Sequence, residues 1–376
     1  MKVLVTGGAG FIGSHLVDAL IREGHTVRVL DNFEPQVHQG RRPDYLHAQA
    51  EYLEGDVRDR DSVRRALHGI EVVFHEAAAV GVGQSMYEIE HYVSANALGT
   101  GLLLDVIVND RLPLKKFIVA SSMSIYGEGQ YACPQCGPIA PALRPAAQLE
   151  AHDWSMRCPT CRTVAVPEPT PETKPLAPTS VYAVSKRDQE ELCLSVGRGY
   201  GIPTVALRYF NVYGPRQALS NPYTGVCAIF SARIKNHHPP MIFEDGEQTR
   251  DFIHVSDIVQ ANLLVLREAR ADGEVLNVGT GRPISIAEIA RLLASLYGVA
   301  IEPQILQRFR SGDIRHCYAD TTKLRALGFA PGVALKDGLR ALAEWGRQVE
   351  AEDRVEQAAR ELEVRGLAQR QSVHSP

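Results

Sequence analysis

The sequence predicts an α/β fold in which helices cover both faces of a doubly wound parallel sheet. Short apolar runs alternate with segments of helical spacing along the first half of the chain, which is the pattern of βαβ units. The runs are almost continuously apolar, as in strands buried on both faces. The chain has 376 residues, of which 45 % are hydrophobic and 22 % charged. This ordinary globular composition excludes a disordered chain, a fibrous repeat and a membrane bundle.

The elements follow in chain order from these runs. Strands are expected at residues 3–5, 27–30, 72–74, 117–119 and 205–207, with a helix over residues 11–22. The second half is more broken, with loops rich in Gly and Pro around residues 213–215 and 238–240. A helix is expected to begin after Ser285, because Glu288 three residues later completes a capping box. From about residue 350 the chain is charged with a helical period, and its polar end is expected to fray.

Charge and hydropathy exclude several classes of function. Lys and Arg number 40 and Asp and Glu 44, and a net charge of −4 is a poor basis for binding a nucleic acid backbone. No uninterrupted run of about 18 apolar residues is present, so we expect no membrane span. No signal peptide precedes the first strand, which predicts a cytoplasmic protein. The 7 cysteines lie in a chain large enough to bury a core without a disulfide framework.

A glycine-rich turn joins the first predicted strand to the first predicted helix. Gly8, Gly10 and Gly13 satisfy G-x-G-x-x-G, and Gly7 lies three residues before Gly10. Such turns need glycine because the backbone bends sharply and approaches a pyrophosphate, which the helix N-terminus binds through its free N–H groups. The position between strand and helix favours a dinucleotide-binding turn of the Rossmann type over a purely structural one.

Two carboxylates stand where the second and third strands should end. Asp31 follows Gly13 by 18 residues, where it can accept hydrogen bonds from ribose hydroxyls and repel a 2′-phosphate. This favours NAD over NADP as the dinucleotide. Asp56 lies where it would border an adenine, but an N-cap of the next helix is an equally good interpretation.

Tyr182 and Lys186 are four residues apart and therefore share one face of a helix. Ionising a phenol at pH 7 costs about 4 kcal/mol, and a neighbouring ammonium lowers that cost by lowering the phenol pKa. Tyr182 could then take a proton from a sugar hydroxyl as hydride leaves for nicotinamide. The spacing alone is common, but Ser122 follows a predicted strand, so its hydroxyl emerges at the carboxyl edge where ligands bind. A turn or capping serine is the structural alternative.

With these residues the chain resembles the extended short-chain dehydrogenase/reductase family, specifically its nucleotide-sugar epimerases and dehydratases. The matches cover about residues 1–340 apart from one insertion, and together they are highly specific. They are VTGGAGFIG (5–13), DN (31–32), GDV (55–57), SSMSIYG (121–127), YAVSK (182–186), RYFNVYGP (208–215), TRDF (249–252) and RSGD (310–313).

The resemblance implies a role for each matching residue. For NAD it implies Gly7, Gly10, Phe11, Ile12 and Gly13 at the pyrophosphate, Asp31 and Asn32 at the adenosine ribose, Asp56 and Val57 at the adenine, and Ala77, Ala78, Ala79 and Asn96 along the dinucleotide. For catalysis it implies Tyr182 as acid/base, Lys186 also at the nicotinamide ribose, and Ser122 in the proton network. Asn211, Arg250 and Arg310 match groups that bind the substrate diphosphate, for which an amide and two guanidinium groups are suited.

The family contains several reactions that begin with oxidation at C4. Its 4,6-dehydratases place Asp-Glu directly after the hydroxyl residue, whereas Met123 and Ser124 stand there and neither is a useful acid. We therefore expect C4 epimerisation of a nucleoside-diphosphate sugar through a 4-keto intermediate, with NAD regenerated and retained. The insertion and the loop at residues 221–226 resemble an epimerase subgroup associated with dTDP-L-rhamnose, our leading substrate. Epimerisation of UDP-glucose or UDP-glucuronate and decarboxylation of UDP-glucuronate stay open.

Two C-x-x-C pairs lie in the insertion, which spans residues 131–169. Cys133 and Cys136 are separated from Cys158 and Cys161 by 21 residues, a spacing at which four thiolates suit tetrahedral zinc. Four protein ligands leave no open position, so we expect a structural, zinc-ribbon-like site. Redox-active pairs and idle thiols are the alternatives.

Two non-enzymatic functions are alternatives to an enzyme. Zinc ribbons also bind nucleic acid, but the basic residues between the cysteine pairs are too few to form a phosphate-binding field. A protein that senses NAD as a ligand would not need Tyr182, Lys186 and Ser122 together. We therefore expect a nucleotide-sugar enzyme with no nucleic acid or membrane partner.

The predicted organisation has three parts. Residues 1–210 form the NAD-binding Rossmann domain with its insertion, residues 211–345 form mainly a smaller nucleotide-sugar-binding domain, and residues 346–376 form a C-terminal helix and tail. Helices near residues 89–109 and 181–196 resemble those that pair subunits in the family, which predicts a homodimer.

Overall fold

The computed structural model describes residues 1–369, and the predicted tail at residues 370–376 lies outside this part. Its strands are β1 (Lys2–Thr6), β2 (Thr26–Asp31), β3 (Glu51–Glu54), β4 (Val72–His75), β5 (Lys116–Ser122), β6 (Gln130–Cys133), β7 (Gly137–Ile139), β8 (Val166–Glu168), β9 (Thr204–Tyr209), β10 (Asn211–Tyr213), β11 (Met241–Ile242), β12 (Thr249–His254), β13 (Val275–Val278), β14 (Pro283–Ser285), β15 (Gln304–Ile305) and β16 (His316–Cys317). Its α-helices are α1 (Phe11–Arg22), α2 (Pro35–His38), α3 (Arg60–Leu67), α4 (Val82–Ser85), α5 (Ile89–Tyr92), α6 (Gly99–Asn109), α7 (Ala146–Glu150), α8 (Val181–Tyr200), α9 (Val226–Lys235), α10 (Val255–Arg267), α11 (Ile286–Tyr297), α12 (Thr322–Ala326), α13 (Leu335–Gln348) and α14 (Val355–Val364). A π-helical turn at Val93–Leu98 joins α5 to α6.

Seven strands form one parallel sheet in the order β13-β9-β5-β4-β1-β2-β3. The strand order reverses at β1, which pairs with β2 on one side and β4 on the other. In doubly wound sheets this reversal opens a ligand crevice at the carboxyl ends of the strands. The predicted fold class is therefore confirmed, and all five predicted strands and the helix at residues 11–22 are present.

Helices cover both faces of the large sheet. Helices α1 and α10 pack on one face and α3, α6 and α8 on the other, each layer over its own apolar core. The continuous stretch Ile89–Asn109 is long and apolar enough to pass as a membrane span, because an 18-residue window within it has a mean hydropathy of 1.2; 44 % of that window is buried inside the protein. The sequence shows no uninterrupted apolar run of this length, and within this stretch Asn96 and Thr100 are polar. Both of these side chains are fully buried in the fold.

The second half of the chain builds a smaller unit and then returns to the large sheet. Strands β10, β12, β14 and β16 form a second sheet, and α9, α11 and α13 share an apolar core beside it. Helix α11 begins as predicted, with the Glu288 N–H donating to Ser285 Oγ at 3.2 Å. Strand β13 pairs with β9 at the edge of the large sheet. A single boundary at residue 210 therefore does not describe the layers, because β13 and α10 complete the first one.

The insertion forms a three-stranded antiparallel sheet of its own, in the order β7-β6-β8. It is tied to the second half of the chain by a buried ion pair, in which the Arg144 guanidinium donates to both carboxylate oxygens of Glu244 at 2.8 and 2.9 Å. Arg315 donates to the same carboxylate at 2.9 Å. The insertion therefore packs against the smaller unit as well as lying at the rim of the large sheet.

Candidate active site

The glycine turn is packed so tightly that side chains cannot enter it. Gly7 has a φ of +69°, and a Cβ there would lie 2.8 Å from the Ala77 backbone. A Cβ on Gly13 would lie 2.3 Å from the Gly7 carbonyl oxygen and 2.7 Å from Gly8 Cα. Helix α1 begins directly after Gly10 without a side-chain cap, which leaves N–H groups free at its first turn, where Phe11 and Ile12 lie. The turn is thus shaped for close approach of an anionic ligand.

Asp31 lies at the end of β2, as predicted, and its carboxylate holds the turn. It accepts the Ala9 N–H at 2.9 Å and the Phe33 N–H at 2.9 Å. Asn32 points to Asp56, whose carboxylate accepts the Asn32 amide at 3.1 Å. These three residues therefore form one polar edge next to the glycine turn.

Asp56 is not a helix cap, so that interpretation of the sequence is wrong. Asp59 caps α3 instead, accepting the Ser62 N–H at 2.9 Å. Burial acts to raise the Asp56 pKa, but hydrogen bonds from Arg58 outweigh it and lower the pKa to about 2. Val57 is buried against Gly99, where a Cβ would lie 2.7 Å from its side chain.

Hydrogen bonds from the Asn96 side chain fix the chain segment that follows β4. The Asn96 amide accepts the Ala79 N–H at 2.8 Å and donates to the Ala79 carbonyl at 3.0 Å, and it also donates to Ser185 Oγ at 2.9 Å. Ala77 donates its N–H to Thr6 Oγ1 at 3.2 Å. Asn96 comes from the π-helical turn, a feature common at functional sites. It links the line of Ala77, Ala78 and Ala79 to the first turns of α8.

Tyr182 and Ser122 meet at the carboxyl edge of the sheet. Burial raises the pKa of Tyr182, and the Ser122 hydroxyl acts in the opposite direction. Ser122 ends β5, and its Oγ accepts hydrogen bonds from the backbone N–H and the hydroxyl of Ser124 at 3.2 and 2.9 Å. The serine therefore caps a turn and also faces the phenol. The lowered Tyr182 pKa that we expected from Lys186 is not what the structure gives, because burial of the phenol dominates.

Lys186 lies one helical turn after Tyr182 and is fully buried. Its Nζ donates to the Ala120 carbonyl at 2.5 Å and to the Gln189 side-chain oxygen. Burial lowers the Lys186 pKa to about 8, while the nearby Glu76 carboxylate acts to raise it. Glu76 follows β4, and burial raises its own pKa to about 7 while the Tyr209 hydroxyl donates to it at 2.9 Å. The site thus holds a charged lysine in a place poor in water.

Two of the three predicted diphosphate ligands lie on strands of the second sheet, and Arg310 lies in the loop before β16. Asn211 lies on β10, which pairs with β12, the strand that carries Arg250, and its buried Oδ1 has no hydrogen-bond partner within the described residues. The Arg250 guanidinium donates to the Ile314 and Arg315 carbonyls at 2.7 and 3.0 Å. The Arg310 Nε donates to the Asp313 carboxylate at 2.8 Å, which makes an ion pair. Both guanidinium groups are therefore anchored on one short stretch, residues 313–315.

The four insertion cysteines are brought together. Their Sγ atoms all lie within 4.8 Å of one another, and Cys133 and Cys161 are 3.4 Å apart. None of them is in a disulfide in the structure. The thiols of Cys136 and Cys158 complete a cluster of four possible ligand atoms.

Sequence reasoning missed a set of buried polar residues around Lys186. Gln189 bonds Lys186 directly, and Gln189, His75 and Thr100 are each fully buried. The available signal was the spacing, since Gln189 follows Lys186 by three residues on the same face of α8. A polar residue on the buried face of a helix needs a partner, and Lys186 is that partner.

Comparison with known proteins decides between the families that use such a crevice. The model of the NAD dependent epimerase/dehydratase family matches residues 3–145 and 158–279. The chain belongs to this family. The interruption of the match falls inside the cysteine insertion.

Named relatives span nearly the whole chain. A dTDP-L-rhamnose 4-epimerase of Burkholderia thailandensis is 36 % identical over 348 residues, covering 92 % of this chain and 94 % of its own. The solved structure of a UDP-glucose 4-epimerase with UDP-glucose, from Thermotoga maritima, has a TM-score of 0.76 and 34 % identity over 93 % of this chain and 99 % of its own. A UDP-glucuronic acid 4-epimerase from Bacillus cereus, in complex with UDP-glucuronic acid and NAD, has a TM-score of 0.76 and 30 % identity over 93 % of this chain and 100 % of its own.

Proposed function

We propose that this protein epimerises C4 of a nucleoside-diphosphate sugar. The observation that carries the proposal is the arrangement of Tyr182, Ser122 and Lys186 at the carboxyl edge of the sheet, beside the glycine turn. A phenol with a hydroxyl beside it and a buried cation one turn away is suited to take a proton from a secondary alcohol and return it.

NAD fits the residues of the crevice. The close packing at Gly7 and Gly13 keeps side chains out of the turn before α1, whose free N–H groups would bind a pyrophosphate, and Asp31 presents a carboxylate at the end of β2 for a ribose. When bound there, NAD would supply the hydride acceptor for oxidation at C4 and, once reduced, the hydride donor for the return step. Gly10, Phe11 and Ile12 would hold its pyrophosphate, and Asp31, Asn32, Asp56 and Val57 its adenosine.

Tyr182 and Ser122 have different roles in the proton transfer. Tyr182 takes the proton of the 4-hydroxyl and gives it back to the 4-keto oxygen, while Ser122 holds that oxygen by a hydrogen bond. Burial raises the Tyr182 pKa and the Ser122 hydroxyl opposes this rise, and the Lys186 ammonium one turn away is proposed to favour the phenolate further. Asn211, Arg250 and Arg310 would bind the diphosphate while the 4-keto sugar rotates to present its other face.

The sugar is proposed to be the rhamnosyl group of dTDP-L-rhamnose. The relative from Burkholderia thailandensis supports this substrate. UDP-glucuronate is the second candidate, favoured by the UDP-glucuronic acid 4-epimerase of similar structure. Met123 and Ser124 follow Ser122 and supply no acid, which opposes dehydration.

Proton NMR of the purified protein with each nucleotide sugar tests the proposal. The protein is mixed separately with dTDP-L-rhamnose, UDP-glucose and UDP-glucuronate, with no added reductant, and then with NAD added. Appearance of the C4 epimer in the first tube is the expected result. Release of carbon dioxide from UDP-glucuronate would replace epimerisation by decarboxylation, and no change in any tube with NAD added would contradict the enzyme and favour an NAD sensor.

We propose further that the four insertion cysteines bind one structural zinc ion. Zn–S bonds of about 2.3 Å place tetrahedral sulfurs about 3.8 Å apart, close to the separations in the cluster. Metal analysis of protein purified without chelator should give about one zinc per chain. Cys158→Ser should lose it, whereas Cys227→Ala, at a buried thiol outside the cluster, should retain it. Protein that neither contains nor takes up zinc would contradict the site.

A homodimer is proposed through the helices at residues 89–109 and α8. Ile89, Val93 and Leu98 on the first, and Val184 and Leu192 on the second, are large apolar side chains exposed to solvent in a single chain. Such exposed apolar sets mark interaction surfaces. Light scattering should give about twice the chain mass of 41.3 kDa, and a value equal to one chain would contradict the dimer.

A further inference from the structure

A buried hydrogen-bond chain leads from Lys186 to the strand that carries the glycine turn. Lys186 Nζ donates to the side-chain oxygen of Gln189. The Gln189 side-chain nitrogen lies 2.9 Å from His75 Nε2 and 2.9 Å from Thr100 Oγ1. His75 Nδ1 lies 2.7 Å from Thr6 Oγ1, and Thr6 ends β1 directly before Gly7. The mechanism proposed above does not use the side chains that link Lys186 to this strand, which are Gln189, His75, Thr100 and Thr6.

The ammonium fixes the orientation of the Gln189 amide in this hydrogen-bond network. Lysine has donors only, so the amide oxygen of Gln189 must face Lys186 and its NH₂ must face His75. His75 Nε2 therefore accepts, and the imidazole proton lies on Nδ1, which donates to Thr6 Oγ1. The opposite tautomer would set two donors against each other at 2.9 Å, between Gln189 and His75. The Thr100 hydroxyl donates its one proton to the Asn96 carbonyl at 2.5 Å and accepts from the Gln189 amide at 2.9 Å.

The side chains of this buried hydrogen-bond chain carry one positive charge, which is located on Lys186. Burial, with a smaller effect of Lys186, lowers the His75 pKa to about 3, so its ring is neutral at pH 7. The other titratable groups near Lys186 are Glu76 after β4, and Glu190 and Cys193 on α8, all of which favour the ammonium. Among the side chains of the described residues, the Gln189 amide alone accepts a direct hydrogen bond from that ammonium.

We propose that Gln189 is a positioning residue for the C4 chemistry, keeping Lys186 charged and fixed at the end of β5 while His75 fixes the orientation of the Gln189 amide. This inference rests on the proposed function for the role of Lys186. It adds a residue that touches neither sugar nor cofactor and acts through the lysine. Without Gln189, a buried ammonium would keep only the Ala120 carbonyl as a direct partner.

The pH dependence of kcat/KM tests this role, because its alkaline limb follows loss of the Lys186 proton. Gln189→Met keeps a similar shape without the acceptor, so the limb should move about one pH unit lower and activity at pH 8 should fall about fivefold. Gln189→Glu supplies a carboxylate, so the limb should move to higher pH. Asp188→Asn exchanges acid and amide one residue away on the exposed face of α8 and should leave the limb unchanged. Limbs at the wild-type pH in both Gln189 variants would overturn the proposal.

A second measurement does not depend on turnover. In protein labelled with ¹⁵N histidine, Gln189→Glu should move the proton of one imidazole from Nδ1 to Nε2, since a carboxylate cannot donate to His75. The other imidazoles should keep their tautomers. If no sugar reacts but the tautomer changes, the proposed function fails and the geometry of the buried chain stands. If a sugar reacts and no imidazole changes, the inferred chain is wrong.

Discussion

Replacing Gly13 by alanine should weaken NAD binding strongly. A Cβ at this position would lie 2.3 Å from the Gly7 carbonyl oxygen and 2.7 Å from Gly8 Cα, and both are backbone atoms. No side chain can turn aside to relieve these contacts, so the turn itself must move by roughly 1 Å. Overpacking of this kind costs about 1–3 kcal/mol, which corresponds to roughly a 5- to 150-fold weaker affinity if the strain falls on the bound state.

The assay is NAD content after purification, followed by calorimetric titration of the stripped protein with NAD. Gly199→Ala is the matched control, because a Cβ there meets no heavy atom within 4 Å and the residue lies on the exposed side of α8. That control should bind NAD normally and gain up to about 1 kcal/mol of stability from helix propensity. A Gly13→Ala protein whose Kd for NAD lies within twofold of wild type would refute the argument from turn packing.

Three further predictions concern the site and its surroundings. Tyr182→Phe should lower kcat by about 10²- to 10⁴-fold while NAD content is unchanged, and unchanged turnover of every accepted substrate would contradict the acid/base role. Arg208→Met should lower the free energy of unfolding by about 3–5 kcal/mol, measured by urea denaturation, because Glu190 is buried and loses its bidentate partner. His75 has a folded-state pKa of about 3, below its ordinary value of 6.5, so below pH 6.5 the unfolded chain binds a proton that the folded chain does not. Its contribution should therefore lower the unfolding free energy by about 1.4 kcal/mol per pH unit between pH 6.5 and 3, and urea curves at pH 7.5 and 5.5 that give equal stability would contradict it.

Local patterns were sufficient to predict the sheet and the residues at its carboxyl edge. Gly7 and Gly13 are recognisable because backbone packing excludes any side chain, and Ser285 because a cap needs only its own next turn. Asp31 is recognisable because the end of a strand fixes where its carboxylate lies. In each case the contact that identifies the residue is made with a neighbour a few residues away or within one βα unit.

The rest depends on contacts between distant parts of the chain. Gln189 bonds His75, more than a hundred positions away, and no local spacing indicates that pair. The Tyr182 pKa was expected to fall from one neighbour on the helix, whereas burial by the whole site raises it. Strand β13 joins the large sheet although its sequence lies far beyond the first predicted domain. Without β13, its partner β9 would be the edge strand of the sheet.

The ion pair between Arg144 and Glu244 limits how the cysteine insertion can be exchanged. Loops at the rim of a sheet are commonly trimmed or grafted when an enzyme is engineered. Trimming this one would leave the Glu244 carboxylate buried at 3 % side-chain exposure with Arg315 as its remaining direct cation. Arg315 belongs to residues 313–315, and this short stretch also anchors Arg250 and Arg310. A shortened variant therefore needs a replacement cation at position 144, or a neutral residue at 244, before its catalysis can be compared with that of the parent.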